Sequence, residues 1–293
     1  MELFEFTFNA MTTPCRVKLY TDSEQEAQSC YEEIKTNTYR LEKKYNFFDH
    51  KSYLHREINK RKRNTVKIDA ETYAVLTQVR QLSEATNNIF DITVGTLKSC
   101  YKLDTLEEVN ACLEKKRPLT GLDVWWLKDK KLHTKDKQTL FDLGGVIKEY
   151  AVDEAAKIAK KHKIKTALIN YGGDIFGYGY KPDGEPFSIG IKNPKNTKEN
   201  IAILPLENQA LTTSANYERN REIEGKEFSH IIGERTNMAG IISSTIISDS
   251  ALTSGVYSTV FMLEMDIDIP EGLGVMLIDK DMRLHQNLMQ ENE

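Results

Sequence analysis

The sequence predicts an α+β fold: one compact domain spanning residues 1–293, with mixed or antiparallel sheets and flanking helices. Two observations carry that expectation. Helical periodicity is concentrated in the first half of the chain and strand patterning in the second, without the strict alternation that builds a doubly wound fold. No repeat, low-complexity segment or proline-rich linker divides the 293 residues, of which 40% are hydrophobic, enough for a substantial core.

Residues 2–9 alternate apolar and polar (Leu3, Phe4, Phe6, Phe8), as do residues 15–20, and the loop between them carries Met11: an antiparallel pair. Residues 23–45 read as a long polar helix with a narrow stripe of Ala27, Tyr31, Ile34, Tyr39 and Leu41. Residues 46–53 read as a loop, and the basic run Arg56–Arg63 as a solvated face. A short strand at Val66–Ile68 precedes a helix over 70–86, with Asp69 as its N-cap and Asn87–Asn88 placed to take left-handed conformations at its end. A helix over 105–116 and two short strands, around 123–134 and 138–142, lead to the most informative stretch, Phe141–Gly179.

That stretch opens with Phe141, Asp142, Leu143 and the pair Gly144–Gly145. Ile147, Tyr150, Ala151, Ala155, Ile158 and Ala159 then mark one face of a helix, and Lys160–Lys163 suit its negative C-terminal end. A strand over 166–170 runs into a second pair, Gly172–Gly173, beside Asp174. Taken alone, each glycine pair reads first as a chain turn, and second as backbone that a ligand can approach closely. Beyond Gly179 the chain is strand-rich, apart from a helix near 251–263.

Net charge is −4 with both signs mixed, which argues against nucleic acid as a partner, and no window is apolar enough to span a membrane. The N-terminus has no basic-then-apolar leader pattern. Cys15, Cys30, Cys100 and Cys112 show no CxxC spacing, so free thiols in a reducing compartment are expected, and with them a cytoplasmic location. No P-loop, GxGxxG, HExxH or GxSxG is present. His230, in an apolar strand setting, reads more readily as structural than catalytic. Phe90 alone reads as core, whereas Asp91 and Asp142, beside apolar strand residues, stay open between structural and functional roles.

Several unusual peptides occur in order: NAMTTP, FFDHKS, NNIFDITVG, FDLGGVIKEYAVD, INYGGD, TTSANYER, SHIIGERT and SGVYSTVFML. The set resembles the FAD:protein FMN transferase (ApbE) family from about Phe6 to Leu263. FDITVG (90–95), DLGG with Lys148, Tyr150, Ala151, Val152 and Asp153, TSANYER (213–219) and SHII (229–232) are the most specific matches. The resemblance implies a T-fold-related unit with a flavin cleft. It further implies Mg²⁺-assisted cleavage of FAD with release of AMP, and attachment of FMN to a threonine of an acceptor flavoprotein that carries a Thr/Ser target motif. Phosphoryl transfer of this kind rests on positioning and charge neutralisation.

Carried over by position, the resemblance implies flavin contacts from Met11, Phe48, Ile89, Phe90, Asp91 and Ile232. Asp142 and Lys148 would serve as catalytic and cofactor-binding residues, and Gly145 (through its backbone) and Thr259 as metal ligands. The departures are also specific. Gly255 stands where the family has its metal-binding aspartate, four residues before Thr259. Glu149 and Ala215 replace usual glycines, Ile147 replaces a small residue, Gly233–Asn237 replaces a DPRTG turn, and Thr12 follows Met11 where glycine is usual. Mg²⁺ prefers carboxylate oxygen, and Gly255 supplies none. Two readings follow: a transferase with a rebuilt metal site, in which Asp249 or Glu149 supplies the carboxylate or Lys148 neutralises part of the diphosphate, or an FAD-binding paralogue with weak or no transfer. On the sequence alone, Gly255→Asp is expected to raise Mg²⁺-dependent cleavage. A third reading, a structural protein without cofactor, is disfavoured by Asp91, Asp142 and both glycine pairs.

Overall fold

Alternation at the N-terminus produces a tight hairpin. β1 (Glu2–Ala10) and β2 (Thr13–Thr21) pair antiparallel with Ala10 opposite Thr13. The two turn residues, Met11 and Thr12, both hold positive φ (50° and 62°), the geometry that matches a two-residue turn to the twist of its strands. The computed structural model describes residues 1–215, 220–223, 226–229 and 240–288.

α1 (Glu24–Tyr45) starts at Ser23, whose side chain accepts from the Glu26 N–H. Its buried stripe takes Thr38 in place of the expected Tyr39. The Thr38 hydroxyl lies 2.8 Å from that of Tyr171, whereas Tyr39 is exposed, because the helical repeat brings residues 34, 38 and 41 to one face. A smaller lobe follows, built from β3 (Thr65–Lys67), α2 (Ala70–Ala85), α3 (Leu106–Lys116), β4 (Trp125–Lys128) and β5 (Lys131–Thr134), with strand order β3-β5-β4. Asp69 caps α2 by accepting from the Thr72 N–H at 2.8 Å, and Asn87 and Asn88 take positive φ at its end, as expected.

The chain then enters α4 (Ile147–Lys161), β6 (Thr166–Tyr171) and β7 (Asp174–Tyr178). The hairpin of β8 (Phe187–Asn193) and β9 (Asn196–Leu206) follows, then β10 (Gln209–Ala215) and the small pair β11 (Asn220–Ile223) and β12 (Lys226–Ser229). β13 (Ile241–Ser248), α5 (Ala251–Phe261), β14 (Gly274–Asp279) and β15 (Leu284–Gln286) complete the described chain. One eight-stranded sheet runs β1-β2-β6-β7-β10-β13-β14-β15, and its strand pairings are all antiparallel. Helices α1, α4 and α5 cover one face, burying Ile34, Ala155 and Val256 against Val17, Ile169 and Ala210. The β8–β9 hairpin covers the other, where Phe187 and Leu204 meet Ile175, Leu211 and Met276. This is the α+β architecture the sequence predicts. Among the described residues no helix is long and apolar enough to cross a membrane.

Three further expectations are corrected. Residues 138–142 form no strand; Gln138 lies in a turn, and the Leu140 and Phe141 N–H groups donate to the side chains of Thr96 and Asn59. The basic run at 56–63 is not uniformly solvated. Arg61 is buried, with its guanidinium donating to the carbonyls of Ile58, Asp136 and Thr139 at 2.8–2.9 Å, and burial lowers its pKa to about 10. The cysteines are not all free: Cys100 and Cys112 form a disulfide, while Cys15 and Cys30 are buried thiols. The two bonded cysteines share a small apolar cluster with Leu97, Val109 and Leu113, which brings together residues whose spacing shows no motif.

Candidate active site

Asp142 is held by residues far away in sequence. The Asn59 side chain donates to the Phe141 carbonyl at 2.9 Å and accepts from the Phe141 N–H at 2.8 Å, and Arg61 stacks on the Phe141 ring. The Asp142 N–H donates to the Ile92 carbonyl at 2.7 Å, which ties the FDITVG peptide to the central motif. So fixed, the Asp142 carboxylate accepts from the Gly144 N–H at 2.9 Å and pairs with Lys98. Lys98 also lies 5.0 Å over the ring of Phe48, which is 70% exposed. Phe90 is buried beneath the glycine turn, its ring 3.7 Å from where a Cβ on Gly145 would sit. Phe48, Phe90, Asp142 and Gly145 therefore converge.

Gly144 and Gly145 are exposed, and Val146, the N-cap of α4, supplies no side-chain cap. The exposed turn adjoins the positive end of a fifteen-residue helix, the kind of terminus that receives anions, while Val146 and Ile147 themselves are buried and donate to the Leu143 carbonyl at 3.0 and 2.9 Å. Lys148, in its first turn, pairs with the buried Asp174 at 2.7 Å. Burial raises the Asp174 carboxyl, and the charge of Lys148 opposes that rise. Glu149 is buried beside it. Burial first, and Asp174 second, push its carboxyl up to about 8, and its Oε2 has no hydrogen-bond partner among the described residues.

The hairpin tip adjoins this end of the sheet. A Cβ on Gly172 (φ +64°) would fall 1.9 Å from Thr13 Oγ1, so the close approach of β1–β2 to the second glycine turn requires glycine. The Met11 N–H donates to Glu42 Oε1 at 2.7 Å, which fixes the turn. The Gly172–Gly173 pair therefore turns the chain between β6 and β7, the first of the two readings open to it, and Gly172 also admits the hairpin tip.

The remaining expected residues divide. Asp91 caps the short helical turn at Ile92–Thr96, accepting from the Thr93 N–H at 2.8 Å and the Gly121 N–H at 3.0 Å, so it organises the FDITVG peptide. Ile89 packs, half-buried, against the main core. Thr259 lies one turn after Gly255 on the same face of α5. Ile232 and His230 lie outside the described residues.

Gly255 is not a gap. A Cβ built there would meet Glu149 Cγ at 2.5 Å, Cδ at 3.1 Å and Oε1 at 3.3 Å. The Glu149 side chain on α4 fills the space beside Gly255 on α5. This removes the basis for expecting Gly255→Asp alone to raise cleavage, because the new side chain has no room while Glu149 is present. Lys98 carries no motif of its own in the sequence; its place immediately after the ITVGTL segment is the one signal there, and its pairing with Asp142 appears only in the fold.

Residues 11–271 match the ApbE family. The chain is 26% identical over 229 residues to the FAD:protein FMN transferase of Salmonella typhimurium, a match that covers 71% of this chain and 64% of that protein. It is 26% identical over 274 residues to the Haemophilus influenzae protein of the same name, covering 87% and 79%. Among solved structures, the ApbE protein of Thermotoga maritima superposes with a TM-score of 0.84 at 25% identity, covering 97% of both chains. The flavin transferase ApbE of Vibrio cholerae gives 0.83 at 22% identity, covering 98% and 96%, a likeness of fold.

Proposed function

The chain belongs to the ApbE family, and on that premise we propose that it cleaves the diphosphate of FAD and transfers FMN to a threonine of an acceptor flavoprotein, releasing AMP. The observation that carries the reading is the exposed Gly144–Gly145 turn before α4, flanked by Lys98 and Lys148 and approached by the exposed ring of Phe48. Backbone N–H groups and the two ammonium groups suit a diphosphate, and the aromatic face suits a flavin or adenine ring.

In this reading Phe48 stacks on a ring of the ligand, and Met11, Ile89 and Ile232 supply apolar surface. Phe90 supports the glycine turn from below, and Asp91 keeps the FDITVG peptide in register with Asp142. Asp142 shapes the turn and holds Lys98 over the site, and Lys148 neutralises diphosphate charge. The bond formed joins the threonine oxygen to the FMN phosphorus. The bond broken joins that phosphorus to the oxygen that leaves on AMP, and the hydroxyl proton balances the one the AMP phosphate takes up.

Bound Mg²⁺ would neutralise phosphate oxygens in this reaction. Glu149, whose Oε2 has no partner among the described residues, would offer such a cation its carboxylate, with the Thr259 hydroxyl and the Gly145 carbonyl as further oxygen donors; among the described residues no cluster of three or more His, Cys, Asp or Glu side chains is placed to hold a metal ion. The disulfide removes the thiol argument for a cytoplasmic location and suits an oxidising compartment.

The test is incubation with FAD, Mg²⁺ and a flavoprotein that carries the threonine motif, following AMP release and acceptor mass. Equal yields of AMP and of acceptor carrying FMN are expected. FAD that stays intact under these conditions defeats the proposal.

A further inference from the structure

Glu149 has three properties that a structural glutamate does not need together. It is only 7% exposed, Oε2 has no hydrogen-bond partner among the described residues, and its chain occupies the volume beside a glycine on a neighbouring helix. A buried carboxylate oxygen left unsatisfied is costly, and the cost is offset only by a proton or a cation. The nearest lysine on its own helix, Lys148, is engaged with Asp174.

The helices around Glu149 are fixed. One turn further along α4, the Asp153 carboxylate accepts from the Ala251 and Leu252 N–H groups at 2.7 and 3.0 Å, at the start of α5. Asp153 thus meets α5 one turn before Gly255, and Glu149 meets it at Gly255, so the two helices run antiparallel through both contacts. Thr259 follows one turn later on the face of Gly255, and Gly145 precedes Glu149 by one turn, outside the hydrogen-bonded ladder of α4. A carboxylate, a hydroxyl and a free backbone carbonyl are the oxygen types that a hard divalent cation takes from protein.

We propose that Glu149 supplies from α4 the carboxylate ligand for a divalent cation that position 255 no longer supplies from α5, so that Glu149 and Gly255 act as one exchanged pair. The proposal rests on the flavin-transferase reading for the identity of the cation, but its test reads ion binding directly.

The purified chain is titrated with Mn²⁺ in the presence of FAD, with free Mn²⁺ followed by its paramagnetic resonance signal. FAD binding is measured separately in EDTA by flavin fluorescence. Loss of an outer-shell partner alone weakens metal sites by about tenfold or more, so Glu149→Gln is expected to weaken Mn²⁺ binding by at least about tenfold. The exchanged variant Glu149→Gly/Gly255→Asp is expected to bind Mn²⁺ within a few-fold of wild type; it remains informative if Glu149→Gln does not fold. Unchanged Mn²⁺ affinity in Glu149→Gln overturns the proposal. So does an exchanged variant that binds FAD but no Mn²⁺. Wild-type protein that binds Mn²⁺ through Glu149 but no FAD overturns the transferase reading and leaves the exchanged pair standing.

Discussion

Asp153 on α4 caps Ala251 on α5: its Oδ1 accepts from the Ala251 N–H at 2.7 Å, and its Oδ2 from the Leu252 N–H at 3.0 Å. The first N–H groups of a helix have no internal partner, and here a neighbouring helix satisfies two of them. The contact sets how the two helices lie against each other, and with that the meeting of Glu149 and Gly255 one turn away. Asp153→Ala strands both donors and is expected to cost about 1–3 kcal/mol in urea unfolding. Asp153→Asn keeps one acceptor and should fall between. An alanine variant within about 0.5 kcal/mol of wild type, the range of ordinary surface changes, would show that the cap is not needed.

The acidic partner of α1 gives a pH-dependent prediction. Arg40 donates to both oxygens of Glu71 at 2.5 and 2.8 Å, and Lys44 adds a contact at 2.6 Å, joining α1 to the first turn of α2. The hydrogen bonds from Arg40, the largest cause, lower the Glu71 carboxyl below its ordinary 4.5. A carboxyl lowered in the folded state stabilises above its unfolded value, and that stability is lost as pH falls through the folded value. Thermal unfolding of wild type should therefore weaken below about pH 4.5. Glu71→Gln should lose part of that slope and about 1 kcal/mol at neutral pH. Identical acid slopes in the two proteins would refute the assignment.

Much of this architecture is legible in the sequence, because burial leaves a period. Of the stripe Ile147, Tyr150, Ala151, Ala155, Ile158 and Ala159, all but the half-buried Ile158 are buried as the spacing predicts, and Asp69 caps α2 where a short acceptor precedes an apolar run. What was not legible depends on partners distant in sequence. Arg61 looks like one more charge in a basic run, and only the carbonyls of Asp136 and Thr139 make it a core residue. Gly255 looks like an empty position on α5, and only contact between α4 and α5 shows that the Glu149 side chain fills the space beside it. Resemblance alone points to the motif residues, and the positions of Asp91 as a cap and of Asp142 at the glycine turn rest on hydrogen bonds that no spacing encodes.

The cysteines make a separate prediction. Burial pushes the Cys15 and Cys30 thiols up to about 12, so neither forms thiolate near neutral pH, and Cys100 and Cys112 are bonded to each other. Native protein at pH 8 should leave a thiol reagent such as DTNB unreacted. Unfolded without reductant, it should release two equivalents, from the two free cysteines, and after reduction all four. Four reactive thiols in unfolded protein never exposed to reductant would contradict the pairing.

Lys98 joins the stability of the site to its chemistry. It pairs with the buried Asp142 and sits over the rings of Phe47 and Phe48, 5.1 and 5.0 Å from their centroids. Lys98→Gln removes the cation and leaves the Asp142 carboxylate with the Gly144 N–H as its described neutral partner. Breaking a buried pair from one side costs more than removing both partners, so the single change is expected to destabilise by about 2–3 kcal/mol, and Lys98→Gln/Asp142→Asn by less. FAD affinity should separate from stability. Both variants lack the positive charge beside the glycine turn, so both should bind FAD about tenfold or more weakly, a loss on the scale of one hydrogen bond to a charged group. Phe48→Ala is the control in the other direction. A ring that is 70% exposed contributes little to folding, so its loss should leave stability within about 0.5 kcal/mol. It should still weaken flavin binding, because stacking on a base or similar ring contributes about 1–3 kcal/mol. If the double variant regains stability and wild-type FAD affinity together, Lys98 serves the fold alone, and the diphosphate must be held by other groups.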